Sequence, residues 1–150
     1  MANPRPAAAG CPFCRIARGE EPTAMVLERP EVVVFLDHRP LFPGHCLVVP
    51  RRHVDTLGDL PPTLTAPLFD TAAAVARAIE PALDADGSFV AVNNRVSQSV
   101  PHLHVHVVPR RKGDGLRGFF WPRGRYASEE EREATRRRLA AALTGPVLRR

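Results

Sequence analysis

Nine residues constrain this chain more than any others: Pro101-His102-Leu103-His104-Val105-His106-Val107-Val108-Pro109. Histidine recurs at every second position from 102 to 106, and Leu103, Val105 and Val107 fill the alternate positions. Successive side chains of an extended strand point to opposite faces. The spacing therefore predicts a strand with His102, His104 and His106 on one face and Leu103, Val105 and Val107 on the other. The aliphatic face requires a core, and the imidazole face calls for something charged or reactive.

With an unperturbed pKa of about 6.5, imidazole can serve near neutrality as nucleophile, charge stabiliser or proton donor. Transfer of a phosphoryl group needs all of these. His104 has an imidazole neighbour on each side, and those neighbours or the backbone can fix its tautomer and complement the charge it acquires. Attack by nitrogen on phosphorus would give a phosphohistidine that water then hydrolyses. At this level the same spacing also fits a catalytic metal site, since imidazole is a common zinc ligand, or a structural strand with solvated histidines.

The rest of the chain predicts one α+β domain with an antiparallel sheet. Residues 1–10 are rich in Pro and Ala without periodicity and read as a disordered tail. Residues 11–20 suit a short helix whose first core contacts are Phe13 and Ile16. Strands are expected at 26–28, 32–36, 46–49 and 88–93, with a turn at Pro43-Gly44. Residues 63–85 form the main helix, on a stripe of Leu64, Leu68, Ala72, Val75, Ile79 and Leu83. Pro67 suits only a first turn, which places the cap near Thr65, and Pro81 predicts a stop or kink before it. A polar loop spans 94–99, and a second helix starts at the capping box Ser128-Glu129-Glu130-Glu131 and runs to about Leu143.

Composition narrows the function classes. The 150 residues, 44% hydrophobic and 25% charged, fit one globular domain. No apolar run approaches the roughly 20 residues of a membrane span, and the expectation is a cytoplasmic protein with no membrane partner. The net charge of +5 suggests anionic partners. The basic surplus is almost all arginine, Lys112 being the only lysine, and much of it follows the histidine strand at Arg110, Arg111, Arg117, Arg123 and Arg125. A solvated arginine-rich surface and bidentate contacts to a phosphate-bearing ligand both fit. Cys11, Cys14 and Cys46 are too few for a disulfide framework. Cys46, in an apolar strand, reads as a small buried hydrophobe, and His38 as a solvated turn residue.

Cys11-Pro12-Phe13-Cys14 places two soft ligands on a tight turn, and a tetrahedral zinc site would want two more. Reduced metal-free thiols or a redox pair are the alternatives, although no strand-helix pattern follows that would mark a thioredoxin-like site.

Residues 101–109, with Gln98-Ser99-Val100 before them, resemble the signature of the histidine triad nucleotide hydrolases and transferases. Phe35-Leu36-Asp37 and Pro43-Gly44-His45-Cys46-Leu47-Val48-Val49-Pro50 resemble further family blocks, and the likeness runs from Cys11 to about Arg111. It implies an α+β fold with an antiparallel sheet of about five strands and two main helices, in a homodimer whose sheets join. The domain would occupy residues 11–112, with 113–150 an extension whose helix packs on it.

The resemblance implies roles as well. His104 matches the nucleophile that attacks the α-phosphate of a nucleotide, His102 and His106 its flanking partners, and His45 the histidine backing the site. Asp37 matches the carboxylate that accepts from ribose hydroxyls, with Phe13, Ile16 and Phe35 around the base. Asn93, Gln98 and Ser99 match contacts to the phosphate and leaving group. The implied substrate is a purine nucleotide or nucleotide conjugate, cleaved to a nucleoside monophosphate with no redox or organic cofactor. The transferase branch carries glutamine where this chain has His106, so hydrolysis is implied. Members with the N-terminal cysteine pair bind a structural zinc ion, here implied at Cys11, Cys14, His53 and His102.

Two departures bear on the site. The loop Asn93-Asn94-Arg95-Val96-Ser97-Gln98 is short and lacks the glycine that family members carry before the glutamine, so its amides would cradle a phosphate differently. Residues 113–143, with Phe119, Phe120 and Trp121, fall outside the core motif; this aromatic run would cover the site, pack at a dimer interface or staple the tail to the core. A nucleotide-binding regulator with little turnover is the competing function. Processing of adenylylated nucleic-acid ends is a third, suggested by the arginine-rich end. Family members of that type carry a C-terminal zinc finger, and no Cys or His follows His106, so nucleic acid is not the expected partner.

Overall fold

The computed structural model describes residues 10–116 and 124–144, in two compact units of which one ends at Asp114 and the other begins at Gly115. The first unit runs α1 (Pro12–Ala17), β1 (Met25–Glu28), β2 (Val32–Leu36), β3 (Cys46–Pro50), a 3-10 turn (Leu57–Asp59), α2 (Pro62–Leu83), β4 (Gly87–Ala91) and β5 (Val105–Arg110). Its five strands form one antiparallel sheet in the order β1-β2-β3-β5-β4. This is the α+β architecture expected from the sequence.

Strand alternation divides the core in two. Val32, Val34, Cys46, Val48, Val105 and Val107 pack with Leu68, Ala72, Val75 and Ile79 of α2. Val33, Phe35, Leu47 and Val49 face the other way and pack with Cys11, Phe13, Cys14 and Ala17 of the α1 segment. Both faces of β2 and β3 are thus covered, which is why these strands read as unbroken apolar runs. Cys46 is buried, as its strand context implied.

The regular part of the histidine strand is shorter than its sequence pattern. β5 starts at Val105, and residues 101–104 precede it in irregular backbone. The Leu103 N–H bonds to the Val54 carbonyl rather than to β3, whose ladder ends at Pro50. The alternation survives all the same. Leu103, Val105 and Val107 are fully buried in the α2-side core, and the histidines take the opposite face.

α2 departs from expectation at both ends. Its N-cap is Pro61, not a residue near Thr65, and Pro67 and Pro81 both lie inside the helix. Each proline deprives the carbonyl four residues earlier of its helical N–H donor. Those carbonyls belong to Thr63 and Arg77, both exposed residues where water can serve them. Burial of Leu64, Leu68, Ala72, Val75 and Ile79 outweighs the loss. Leu83 ends the stripe half-exposed instead of joining the core. Asp84, in the left-handed region at φ 52°, stops the helix, and the Arg111 guanidinium caps it by donating to the Leu83 and Asp84 carbonyls.

In the second unit, α3 (Glu129–Thr144) is capped by Ser128, whose Oγ accepts the Glu131 N–H at 3.1 Å. The Glu131 carboxylate reaches back to the Ala127 N–H rather than to that of the cap residue. Residues 1–9 of the expected tail and the Phe119-Phe120-Trp121 run lie outside the described residues. Among the described residues no helix is long and apolar enough to cross a membrane.

Candidate active site and adjoining metal centre

Cys11 caps α1 and Cys14 lies in its first turn, a start set by Pro12 at the first helical position. Both cysteines are buried, and neither forms a disulfide. Cys11 Sγ is 3.3 Å from His102 Nδ1, and Cys14 Sγ is 3.3 Å from His53 Nδ1 and 3.5 Å from His102 Nδ1. The far nitrogens of both rings are held. His102 Nε2–H donates to the Pro50 carbonyl at 2.8 Å, and His53 Nε2–H donates to the Asp55 carboxylate at 2.8 Å. A carbonyl and a carboxylate can only accept, so each ring keeps its Nδ1 lone pair for the space between the sulfurs. Burial lowers the His102 pKa to about 4, which keeps that ring neutral.

The four ligand atoms lie within 4.8 Å of one another. A tetrahedral ion with bonds of about 2.0–2.3 Å asks for ligand separations of roughly 3.3–3.8 Å. Two thiols and two oriented Nδ1 atoms at these distances, each imidazole braced by an outer acceptor, fit a structural zinc ion.

His104 stands next to this cluster. Its Nδ1–H donates to the His102 carbonyl at 2.7 Å, which leaves the Nε2 lone pair free to act. The ring meets Phe13 edge-on at 5.2 Å between centroids and lies 4.8 Å from the His106 ring. His106, in β5, has its Nδ1 2.9 Å from His45 Nε2. The proton between them can be assigned, because His45 Nδ1 accepts the Leu41 N–H at 3.1 Å. His45 must then carry its proton on Nε2 and donate it to His106 Nδ1. The His106 proton is thereby forced onto Nε2, a buried side-chain nitrogen that has no hydrogen-bond partner among the described residues. An unsatisfied buried donor is costly, so this N–H awaits an acceptor.

Asp37, just after β2, has its Oδ2 3.8 Å from His45 Nε2, while its Oδ1 accepts the Arg39 N–H at 2.9 Å. Desolvation lowers the pKa of His45 and His104 and takes His106 down to about 4, against the opposing pull of Asp37. The three rings are neutral at pH 7.

The remaining site candidates occupy distinct surroundings. Phe13 and Phe35 are buried in the α1-side core, 5.3 Å apart and edge-on, and Ile16 packs half-buried beside them. Asn93, Gln98 and Ser99 lie in the loop between β4 and β5. The Gln98 amide is occupied at both ends: Nε2 donates to the Asp55 carbonyl at 2.7 Å, and Oε1 accepts the Arg95 N–H at 2.8 Å. Asn93 Nδ2 donates to the Ser97 carbonyl at 3.3 Å, and Ser99 is exposed. His38 is exposed, as expected.

Sequence reasoning missed Asp55, the Pro50 carbonyl and the Leu41 N–H. Asp55 left one signal, a carboxylate two residues after His53. The other two are backbone groups, which no side-chain pattern announces.

A five-stranded sheet with α2 on one face and a row of histidines on the other defines a histidine triad protein. The chain belongs to that family, since residues 18–113 match the HIT domain. An uncharacterised HIT-like protein of Mycobacterium tuberculosis is 38% identical over 138 residues, which span 89% of this chain and 92% of that protein. The adenosine 5'-monophosphoramidase of Schizosaccharomyces pombe is 30% identical over 121 residues, covering 80% of this chain and 89% of its own. Among solved structures, a HIT family member from Bacillus subtilis is similar with a TM-score of 0.81, 31% identity and coverage of 91% of this chain and 99% of that one. A zinc-bound histidine triad protein from Mycobacterium smegmatis has a TM-score of 0.70 and 35% identity, again over 91% of this chain and 99% of that one.

Proposed function

We propose that this chain is a nucleotide hydrolase. It attacks the α-phosphate of a nucleoside phosphoramidate, dinucleoside polyphosphate or related adenylylated compound and releases a nucleoside monophosphate. The observation that carries the reading is the bond from His104 Nδ1–H to the His102 carbonyl. It leaves Nε2 as the nucleophilic nitrogen and sets a fixed dipole against a ring that becomes cationic as the N–P bond forms.

In the first step the His104 Nε2 lone pair bonds to phosphorus, the bond from phosphorus to the leaving group breaks, and the electron pair departs with that group. In the second, water oxygen bonds to phosphorus, the N–P bond breaks, and its electrons return to Nε2. The two protons of water end on the leaving group and the released monophosphate. His106 Nε2–H, the orphaned donor, supplies a hydrogen bond to a phosphate oxygen. Asp37 takes the ribose hydroxyls, Phe13, Ile16 and Phe35 back the base, and Asn93, Gln98 and Ser99 shape the phosphate side. The relative that is an adenosine 5'-monophosphoramidase supports this chemistry.

A structural zinc ion at Cys11, Cys14, His53 and His102 belongs to the same proposal, where it would cross-link the α1 segment to the chain just before β5. So does a homodimer with joined sheets, which the edge position of β4 and its exposed Val90 support. A cytoplasmic location belongs to the same proposal, supported by a cluster that needs the Cys11 and Cys14 thiols reduced.

A hydrolysis screen over phosphoramidates and dinucleoside polyphosphates with several bases tests the function. His104→Ala should lose on the order of 10³-fold or more in turnover on any substrate found. Near-normal turnover in that variant would remove His104 as nucleophile. One observation favours the regulator reading instead: Gln98 commits both ends of its amide to the chain itself. Tight nucleotide binding without turnover across the screen selects that reading, and a trapped nucleotidyl-His104 adduct excludes it.

A further inference from the structure

The segment after β3 touches three parts of the site at once. His53 enters the cysteine-histidine cluster through Nδ1. The Val54 carbonyl accepts the N–H of Leu103, the residue between His102 and His104, at 2.6 Å. Asp55 faces two ways: its carboxylate fixes the His53 ring at 2.8 Å, and its carbonyl holds the Gln98 amide at 2.7 Å. A second bond runs alongside, from the Leu57 N–H to Asn94 Oδ1 at 2.8 Å. The loop so held contains two non-glycine residues in the left-handed region, Arg95 at φ 66° and Ser97 at φ 58°. Such backbone persists only where its surroundings hold it. Gln98 supplies part of that hold by accepting the Arg95 N–H.

We propose that Asp55 is a positioning residue that ties the Cys11/Cys14/His53/His102 cluster to the loop carrying Asn93, Gln98 and Ser99, so that metal occupancy and nucleotide affinity reinforce each other. The inference rests on the nucleotide-site reading above. With the His53 ring fixed by a metal on Nδ1, its Nε2–H holds the Asp55 carboxylate, and Asp55 in turn presents its carbonyl to Gln98. When the ring is released, Asp55 loses one of its partners, and the hold of its carbonyl on the strained loop, one of several, is loosened. Coupling of this kind is reciprocal: whatever factor zinc adds to nucleotide binding, the nucleotide adds to zinc binding.

The test measures zinc affinity of the full chain by competition with a chromophoric chelator, with and without saturating AMP. AMP should tighten zinc by about fivefold or more, a factor typical of coupled sites. Gln98→Ala, which removes no cluster ligand, should weaken zinc and shrink the effect of AMP. Asp55→Ala should weaken zinc by about 10- to 100-fold, as loss of an outer partner does, while Asp55→Asn keeps an acceptor oxygen and should retain most of the affinity. Zinc affinity indifferent both to AMP and to Gln98→Ala would overturn the proposal, as would a chain that binds no zinc. If AMP does not bind at all, the nucleotide reading fails, and the response of zinc affinity to Gln98→Ala still decides whether the cluster and the loop are coupled. Should Asp55→Ala not fold, Gln98→Ala and Asp55→Asn carry the test.

Discussion

The His102 carbonyl and the Leu41 N–H turn three similar imidazoles into three different ones. The carbonyl takes the Nδ1 proton of His104 and frees its Nε2, while the amide donates to His45 Nδ1 and so dictates where His106 carries its proton. His102 itself faces the thiols of Cys11 and Cys14. This proton order makes His45 a positioning residue for His106. His45→Ala would free both tautomers of His106, and turnover should fall tenfold or more, as when a catalytic imidazole loses the partner that sets its tautomer. Steady-state kinetics would show the loss mainly in kcat, with KM for the nucleotide little changed. Equal kcat in the two proteins would remove the relay. The histidines themselves were legible in the sequence. Their proton assignments were not, because the deciding partners are backbone groups in irregular segments close by, whose direction no side-chain pattern announces.

At the scale of elements, period and composition predicted most of the sheet. Val32–Leu36 and Cys46–Pro50 were legible because both of their faces are buried. α2 was legible in its stripe and misread at its ends, where proline rules describe an isolated helix and tertiary burial overrode them. Leu68 is fully buried between α2 and the sheet. Leu68→Ala should cost about 2–5 kcal/mol through lost burial and the cavity it leaves. A denaturant titration would show this as a lower midpoint with an unchanged slope. A midpoint within error of the parent would mean that α2 is not anchored there. β5 was legible by alternation and shorter than its pattern, since alternation reports which face a side chain takes and not whether its backbone pairs.

For the first unit as a whole, the cysteine-histidine cluster connects the α1 segment, the turn after β3 and the chain entering β5. These lie far apart in sequence, so a metal there would act as a long-range cross-link. Protein purified without chelator should carry about one zinc per chain by elemental analysis, and less than ~0.2 equivalents would count strongly against a structural site. Stripping the ion should lower Tm by several degrees, since about 1 kcal/mol moves Tm by roughly 2–8 °C in domains of this size range. The sequence pointed to the cysteine pair as soft ligands, and the family resemblance supplied His53 and His102. The separations and the outer acceptors Asp55 and Pro50 belong to the folded chain.

The sequence by itself determined the alternation at residues 102–107, the apolar strands, the α2 stripe and the chemical types in the site, because all of these are periodicities or identities that local physics reads directly. Only the tertiary structure decided which nitrogen of each ring is free, that His102 serves the cluster through its ring and His104 through its carbonyl, and that Asp55 stands between the cluster and the phosphate-side loop. Some of those outcomes depend on hydrogen bonds between residues tens of positions apart, such as His102 to Pro50 and Gln98 to Asp55, and others on short-range bonds in irregular backbone, such as His104 to His102 and Leu41 to His45. Only the packed chain sets their positions.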